Sequence, residues 1–523
     1  MSQSGKTNSL STSPRQYTLA LLSSFLLFAA APGQWAVPST AWVAIIPLLI
    51  ACKNLSWRPA AKLAFLCGLA YYLSLIYWIV IALNNYGGLP MWAAIPVLVL
   101  LAAYMALYMA AFAALLASLR RWPMVFSAPI IWVGLDLIKA HLFTGFPWQD
   151  LGYSQYQHPL LIQFADLTGH NGLTFLIIMT NAMLANLILS RRQAASFDKW
   201  RGLIIPTALL AGAALYSFWS YQYWQKTASN APTINIALVQ GNINQAEKWR
   251  PGIEEKTIDI YQRLIKKDGK ADLIVWPETA LPFFPLYTPI FNKVTQGLKI
   301  NGPTLITGAP HYEGARPGRK RQIFNSAFAL TATTKGLSIQ RYDKEHLVPF
   351  GEYVPLSNIF GGLPLVQSMG NFSPGSSQKL IKCDKARCGV LICFESIFPE
   401  NARKWTLMGA NLLLNLTNDA WYGRSSAPWQ QLSMVTLRAV ENRRSLARAA
   451  NTGISVFIDP LGRQQISPLF QEYTFTRQMP LIQQKTFFSR YGHLFAPLCL
   501  LIVLLMGLRR WQERHILEPE NDL

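Results

Sequence analysis

The sequence predicts a membrane α-helical bundle of about eight spans joined to an α/β layered domain. Three features carry that expectation. The 523-residue chain is 51% hydrophobic and only 14% charged, with 17 Trp, which is too apolar for a soluble enzyme of this length. Long apolar runs crowd the first 220 residues and recur once near the C-terminus. Between residues 232 and 482 the pattern changes to short β-branched runs separated by helical stretches.

Taken in order, the apolar runs lie at 17–36, 40–52, 63–83, 91–118, 124–138, 172–190 and 202–220, with another at 491–508. The second and fifth are short for a bilayer and read equally as half-buried helices. The first is followed within a few residues by another apolar run, without a small-residue cleavage pattern, so it is expected to stay in the mature chain. Basic residues mark every second loop: Lys6 and Arg15; Lys53, Arg58 and Lys62; Arg120 and Arg121; Arg191, Arg192, Lys199 and Arg201; then Arg509, Arg510 and Arg514. By the positive-inside rule both termini are cytoplasmic and residues 221–490 lie on the opposite face. The formal charge of +21 is thereby largely explained by topology and anionic headgroups. No basic stripe with interleaved aromatics points to nucleic acid. Asp136 and Lys139, near the end of the fifth run, read as side chains snorkelling to the interface rather than as a proton path. The boundaries expected are a bundle of about seven helices over 1–230, a layered domain over 231–482, and a last span with a short tail over 483–523.

Within the layered domain, strands are expected at Ile234–Gln240, Leu273–Trp276, Thr304–Thr307, Asn325–Leu330, Ser338–Tyr342, Gly389–Cys393, Leu412–Leu416 and Ser455–Ile458. Helical periodicity is clear over Ile253–Lys267, Pro399–Met408 and Trp429–Arg448. Six cysteines are present, of which Cys52, Cys67 and Cys499 lie in or beside apolar runs and read as small hydrophobes. An oxidising compartment would allow Cys383 and Cys388 to bridge, leaving Cys393 as the odd thiol, but sequence does not carry the geometry that decides it. Zinc is the competing reading of clustered cysteines, and no histidine has ligand spacing, so no metal is expected.

Three strand ends carry reactive side chains. In Trp276-Pro277-Glu278-Thr279 a buried strand stops at a proline that cannot donate to a sheet, and a carboxylate emerges. In the run from Arg341 to Glu352 a strand enters a polar loop at Asp343-Lys344-Glu345. In Gly389-Val390-Leu391-Ile392-Cys393-Phe394-Glu395-Ser396 an apolar strand ends on a thiol shortly before a helix, whose N-terminus would favour the thiolate and lower the thiol pKa. Each alone reads equally as a surface carboxylate, a charged edge strand or a buried structural cysteine. Together, strand ends on one edge can bring a base, a cation and a nucleophile into one pocket.

These motifs, in this order and at this spacing, resemble the nitrilase (carbon-nitrogen hydrolase) superfamily. Seven spans before such a domain and one after it look like the apolipoprotein N-acyltransferase family, across essentially the whole chain. The resemblance implies an α-β-β-α sandwich, with Glu278 as general base, Lys344 as oxyanion-stabilising cation and Cys393 as nucleophile. It also implies supporting roles for Glu352 beside Lys344 and for Glu395 beyond the nucleophile. Phe394 stands where many relatives carry Tyr, so any bond from that hydroxyl is lost. Trp421 and Tyr422, in Asn418-Asp419-Ala420-Trp421-Tyr422-Gly423, would border the pocket, and Trp249 would stand near lipid. The implied reaction moves an acyl chain from a phospholipid donor through a Cys thioester to the α-amine of a diacylglyceryl apolipoprotein. It needs no cofactor, because a thioester already stores the activation.

The implied setting is the bacterial inner membrane and its lipids, with the domain facing the periplasm, and a monomer is expected. Two rivals share the same residues: a membrane-tethered nitrilase-type amidase, in which water takes the acyl group, and a silent scaffold for lipidated proteins. Two apolar loops argue against water as acceptor. Leu281-Pro282-Phe283-Phe284-Pro285-Leu286-Tyr287 and Val354–Pro374 are read as arms dipping into the bilayer, the second hinged at Gly361-Gly362 and Gly370. Gly145-Phe146-Pro147-Trp148 and Gly152-Tyr153-Ser154-Gln155, in the loop over 140–171, also look like family sequence and are read as an interfacial aromatic belt.

Overall fold

The computed structural model describes residues 12–190, 197–266, 271–314, 321–353, 372–376 and 378–516. Lys6, Arg191, Arg192 and most of the second apolar arm, with Gly361, Gly362 and Gly370, lie outside the described residues.

Among the described residues five helices are long and apolar enough to cross a bilayer: Met91–Ser118, Met124–His141, His170–Ser190, Leu203–Ser229 and Phe495–Glu513. A sixth span is made if Trp57–Leu75 and Trp78–Asn85, bent by 51° at their junction, are taken as one. Gln430 in the layered domain supplies a reason for the bend. Its Nε2 donates to the Leu75 carbonyl at 2.9 Å, satisfying an acceptor that the broken helix leaves open. The expected first two spans are shorter than that. Pro14–Ala30 has 17 residues, and Pro38–Ala51 is a shorter apolar piece that begins as a 3-10 turn. At 1.5 Å per residue Pro14–Ala30 extends about 25 Å, the short end of what crosses a bilayer, and Pro38–Ala51 is shorter still.

The helix ending at Ser229 is followed at once by the first strand of two six-stranded sheets. In chain order the strands are β1 (Thr233–Gln240), β2 (Leu273–Val275), β3 (Thr304–Glu313), β4 (Gln322–Thr333), β5 (Gly336–Asp343), β6 (Ile381–Cys383), β7 (Ala386–Ile392), β8 (Leu412–Thr417), β9 (Ser445–Ala450), β10 (Val456–Ile458), β11 (Gln464–Ile466) and β12 (Tyr473–Pro480). One sheet runs β12-β1-β2-β3-β4-β5, the other β11-β10-β9-β8-β7-β6. Thr233 pairs with Pro480, so the chain enters and leaves the domain side by side at one edge. β1-β2-β3 and β7-β8-β9 are parallel cores buried on both faces, hence their nearly unbroken apolar runs. Ile236, Leu238 and Val275 of one sheet share a core with Val390, Leu414 and Leu446 of the other. Helix Ile253–Ile265 covers the outer face of the first sheet through Ile258, Tyr261 and Leu264. Pro399–Leu407 and Ala427–Asn442 cover the second, with Trp405 and Leu437 fully buried. The layers are α-β-β-α.

One helix is shorter than its periodicity predicts. The helix expected over Trp429–Arg448 ends at Asn442, where Arg443 turns into the left-handed region (φ 51°), and Ser445–Ala450 forms the strand between β8 and β10. Ser-Leu-Ala-Arg-Ala-Ala is helix-prone by propensity, and pairing on both edges overrides it. Arg443 is fixed there by Asp166 at 2.7 Å and Ser220 at 2.9 Å, both from the helical region.

The junction with the membrane part corrects two further expectations. Asp136 and Lys139 do not snorkel: both are buried, 2.9 Å apart, and Lys139 also meets Asp150 at 2.7 Å. Asp150 accepts from His170 at 2.9 Å, and His170 faces Glu441 of helix Ala427–Asn442. An ammonium so enclosed by carboxylates is compensated without reaching water. The aromatics over 145–155 turn inward as well. Trp148 and Tyr153 are buried, and the Trp148 and Trp78 indoles both donate to Gln430 Oε1, at 2.8 and 2.9 Å. A buried indole must find an acceptor, and the layered domain provides it.

Candidate active site

Glu278, Lys344 and Cys393 follow β2, β5 and β7, and the fold brings these strand ends together. Pro277 ends the β2 ladder, and the main chain turns sharply at Thr279, where φ is 48°. β3 passes so close at Gly308 that a Cβ there would lie 2.7 Å from Glu278 Cα, so only glycine permits this approach. Lys344 is set by its N–H donating to the Asn325 carbonyl at 2.9 Å. Cys393 itself adopts φ 49°, a conformation that side chains rarely take and that turns the chain abruptly out of β7.

The Lys344 ammonium lies 2.8 Å from Glu352 and 3.8 Å from Glu278. Between the two carboxylates stands Asn325, whose Nδ2 donates to both at 2.8 Å. Glu352 is further held by the Val348 N–H at 2.8 Å. Two carboxylates so near one another would repel, and one ammonium with one amide holds them in register. Glu278 Oε2 is buried with no hydrogen-bond partner, as is Asn325 Oδ1.

Burial pushes the Glu278 carboxyl up, Lys344 pulls it down, Glu352 pushes it up again, and Asn325 and Lys248 oppose. Burial also works against the Lys344 ammonium, yet Glu352, Glu278 and Cys393 carry it above the ordinary lysine value. Burial pushes the Cys393 thiol up to about 12, with Glu278 adding to the rise and Lys344 and Thr417 opposing it. The expected lowering by a helix N-terminus is overturned. Cys393 opens only a short 3-10 turn, Cys393–Ile397, and desolvation outweighs its few dipoles. Near neutral pH the Cys393 thiol therefore keeps its proton.

Glu395 joins two of the three segments. Its Oε1 accepts from Tyr342 Oη, the Glu345 N–H and the His346 N–H, and its Oε2 from the Ile392 N–H at 2.7 Å. Burial pushes it up to about 7, with the Ile392 N–H, Lys344, Tyr342 and the His346 N–H opposing the rise. Phe394 is buried and packs edge-on against Phe398.

Tyr422 is edge-on to Trp78, and Trp421 to Tyr86, so the loop beside Cys393 rests on the outer arm of the bent helix pair. Below it Arg448 grips both oxygens of Asp419 at 2.9 Å. Trp249 is exposed, next in the chain to the buried Lys248. The first apolar arm is only partly as expected. Leu281 and Phe283 are buried in the outer core of the first sheet, while Leu286 and Tyr287 are exposed. Cys383 and Cys388 are unbridged here but in side-chain contact, with Cys388 in register with Ile381 on the facing strand. Sequence reasoning does not single out Asn325 or Lys248. Asn325 lies inside β4 beside another polar residue, Ser326, and no local pattern marks it out.

Residues 23–183 match the family model described as apolipoprotein N-acyltransferase N-terminal domain, and residues 235–479 the one described as carbon-nitrogen hydrolase. An apolipoprotein N-acyltransferase of Geobacter metallireducens is 41% identical over 514 residues, covering 96% of this chain and 97% of its own. This chain belongs to the apolipoprotein N-acyltransferase family. Family members from Haemophilus influenzae, at 34% identity over 96% of each chain, and Pasteurella multocida, at 32% over 92% of each, align with it end to end as well. Membership of the apolipoprotein N-acyltransferase family accounts for both halves of the molecule, the helical membrane region and the α/β hydrolase-like domain.

Proposed function

We propose that this protein completes lipoprotein maturation as an apolipoprotein N-acyltransferase, with Cys393 as nucleophile, Glu278 as general base and Lys344 as oxyanion donor. The observation that carries the reading is the buried Lys344 ammonium, 3.8 Å from Glu278 and near enough to Cys393 to act on its thiol. In the first half reaction Glu278 takes the thiol proton and sulfur attacks the ester carbonyl of a phospholipid, at the sn-1 position. Lys344 stabilises the oxyanion, the ester C–O bond breaks, and Glu278 returns the proton to the departing lysophospholipid oxygen. In the second, the α-amine of a diacylglyceryl-cysteine attacks the thioester and passes a proton to Glu278. The C–S bond then breaks and the thiolate recovers that proton. An α-amine with a pKa of about 7.7–8.0 is partly neutral near pH 7, while a lysine side chain is not.

The topology we propose has eight spans, with the bundle over 1–230, the catalytic domain over 231–482 facing the periplasm, and a final span over 483–523. Alternation of basic loops supports it. So does the loop of Trp421 and Tyr422, which leans on membrane helices and would keep the site next to lipid. Leu286 and Tyr287 are the part of the first arm free to meet a bilayer.

Purified protein incubated with isotopically labelled phospholipid should carry a labelled acyl group on the Cys393 peptide by mass spectrometry, and Cys393→Ala should carry none. An unlabelled wild type, or a label that survives in Cys393→Ala, removes the proposed nucleophile.

A further inference from the structure

The acyl-transfer mechanism leaves the charge of Lys248 unused. This lysine lies in the loop after β1, is only 2% exposed, and directs its ammonium at the main-chain carbonyl of Glu278, 3.3 Å away. A lysine is seldom buried without a carboxylate to hold it. Here the hydrogen bond goes to a carbonyl, which uses one of three N–H donors. The Glu278 Oε2 atom, buried and without a partner, belongs to the same residue.

The loop that carries Lys248 is itself anchored. The Asn242 and Ile243 N–H groups donate to Asn451 at 2.8 and 2.9 Å, and Gln245 accepts from Asn418 at 2.6 Å. Both partners stand just beyond the ends of β9 and β8, on the sheet that bears Cys393. Lys248 thus ties a loop braced on the nucleophile's sheet to the turn that presents the base from the other sheet. The next residue, Trp249, is 56% exposed at the rim.

We propose that Lys248 is a positioning residue for acyl transfer: it fixes the Glu278 turn through the main-chain carbonyl and adds a second positive charge near the base. This rests on the reading of Glu278 as general base. Lys344 is already committed to Glu352 at 2.8 Å, so its hold on Glu278 at 3.8 Å is shared. The charged groups acting on Glu278 are Lys344 and Glu352, from the segment after β5, and Lys248 from the loop after β1. Glu278 is the charged group acting on Lys248, whose ammonium burial pulls down to about 8. A cation beside Glu278 favours its ionised, proton-accepting form near neutral pH, against the burial that opposes it.

Without the Lys248 charge Glu278 should rise further, and the acid limb of thioester formation should move to higher pH. In Lys248→Met a move of roughly one pH unit is expected, the lower end of the range a neighbouring opposite charge produces, with acylation about tenfold slower on that limb. Lys248→Arg keeps the charge and should hold the limb at the wild-type position. The experiment follows labelled thioester on Cys393 between pH 5 and 9 with full-length protein in lipid vesicles, with folding checked by thermal melting. If Lys248→Met does not fold, Lys248→Gln, which keeps a donor for the carbonyl but no charge, must show the same move. An unmoved limb in the neutral variants, or equal losses in the neutral and Arg variants, overturns the inference while a wild-type thioester leaves the acyltransferase reading standing. No thioester on the wild type removes both.

Discussion

Replacing Lys344 by methionine keeps the reach of the side chain and removes its charge. The ammonium meets the half-buried Glu352 at 2.8 Å and the buried Glu278 at 3.8 Å. At an effective dielectric of about 20, Coulomb's law gives roughly 6 and 4 kcal/mol for contacts of those lengths, most of which desolvation cancels. Leaving buried carboxylates without their cation typically costs about 3–5 kcal/mol, unless one of them takes up a proton. Where Glu278 takes that proton, the proposed base is disabled as well. Loss of the oxyanion donor adds about 3–4 kcal/mol in the transition state, or roughly 10²–10³-fold in rate.

Stability should follow pH with a definite sign. In the wild type Lys344 sits above its ordinary pKa, so its contribution is intact throughout the neutral range and disappears only in strong alkali. In Lys344→Met Glu278, already raised by burial, climbs further, so the variant is least penalised where Glu278 is protonated. Its melting temperature should therefore fall further below wild type at pH 8 than at pH 5. Melting in detergent at both pH values, beside thioester mass spectrometry, measures both effects. Thioester formation within tenfold of wild type would refute the oxyanion role, and an equal melting gap at both pH values would refute the carboxylate argument.

Two further predictions concern geometry and the thiol. Gly308→Ala would place its Cβ 2.4 Å from the Thr279 nitrogen, so the Glu278 turn must shift; acylation should drop about 100-fold, read by single-turnover labelling, while the protein still folds. Glu278→Gln should form no thioester yet alkylate faster than wild type with iodoacetamide at pH 8. The charge of Glu278 raises the thiol, so its removal enlarges the thiolate fraction, and slower alkylation in Glu278→Gln would reverse that assignment.

The three residues are legible in sequence because each directly follows or closes a strand, and strand ends on one edge can converge. Asn325 and Lys248 are not. An asparagine within a strand and a lysine in a loop are ordinary until Glu278, 47 and 30 residues away in the chain, is seen to meet them. Phe283 departs from expectation for a related reason: apolar loop residues can face a membrane or a core, and only the position of helix Phe291–Gln296 and the first sheet decides between them. The thiol departs from it because a dipole is local and visible in sequence, whereas the burial that outweighs it comes from several segments at once.

By itself the sequence determined the membrane character, the alternation of basic loops, the change of period near residue 232 and the chemistry available at three strand ends. All of these depend on neighbours a few residues apart. Tertiary structure alone decided that Ser445–Ala450 pairs as a strand, that Lys139 is enclosed by Asp136 and Asp150, and that Gln430 binds the membrane helices to the hydrolase-like domain. Helix-prone residues become strand, and charges leave water, only where partners from distant segments supply the missing bonds.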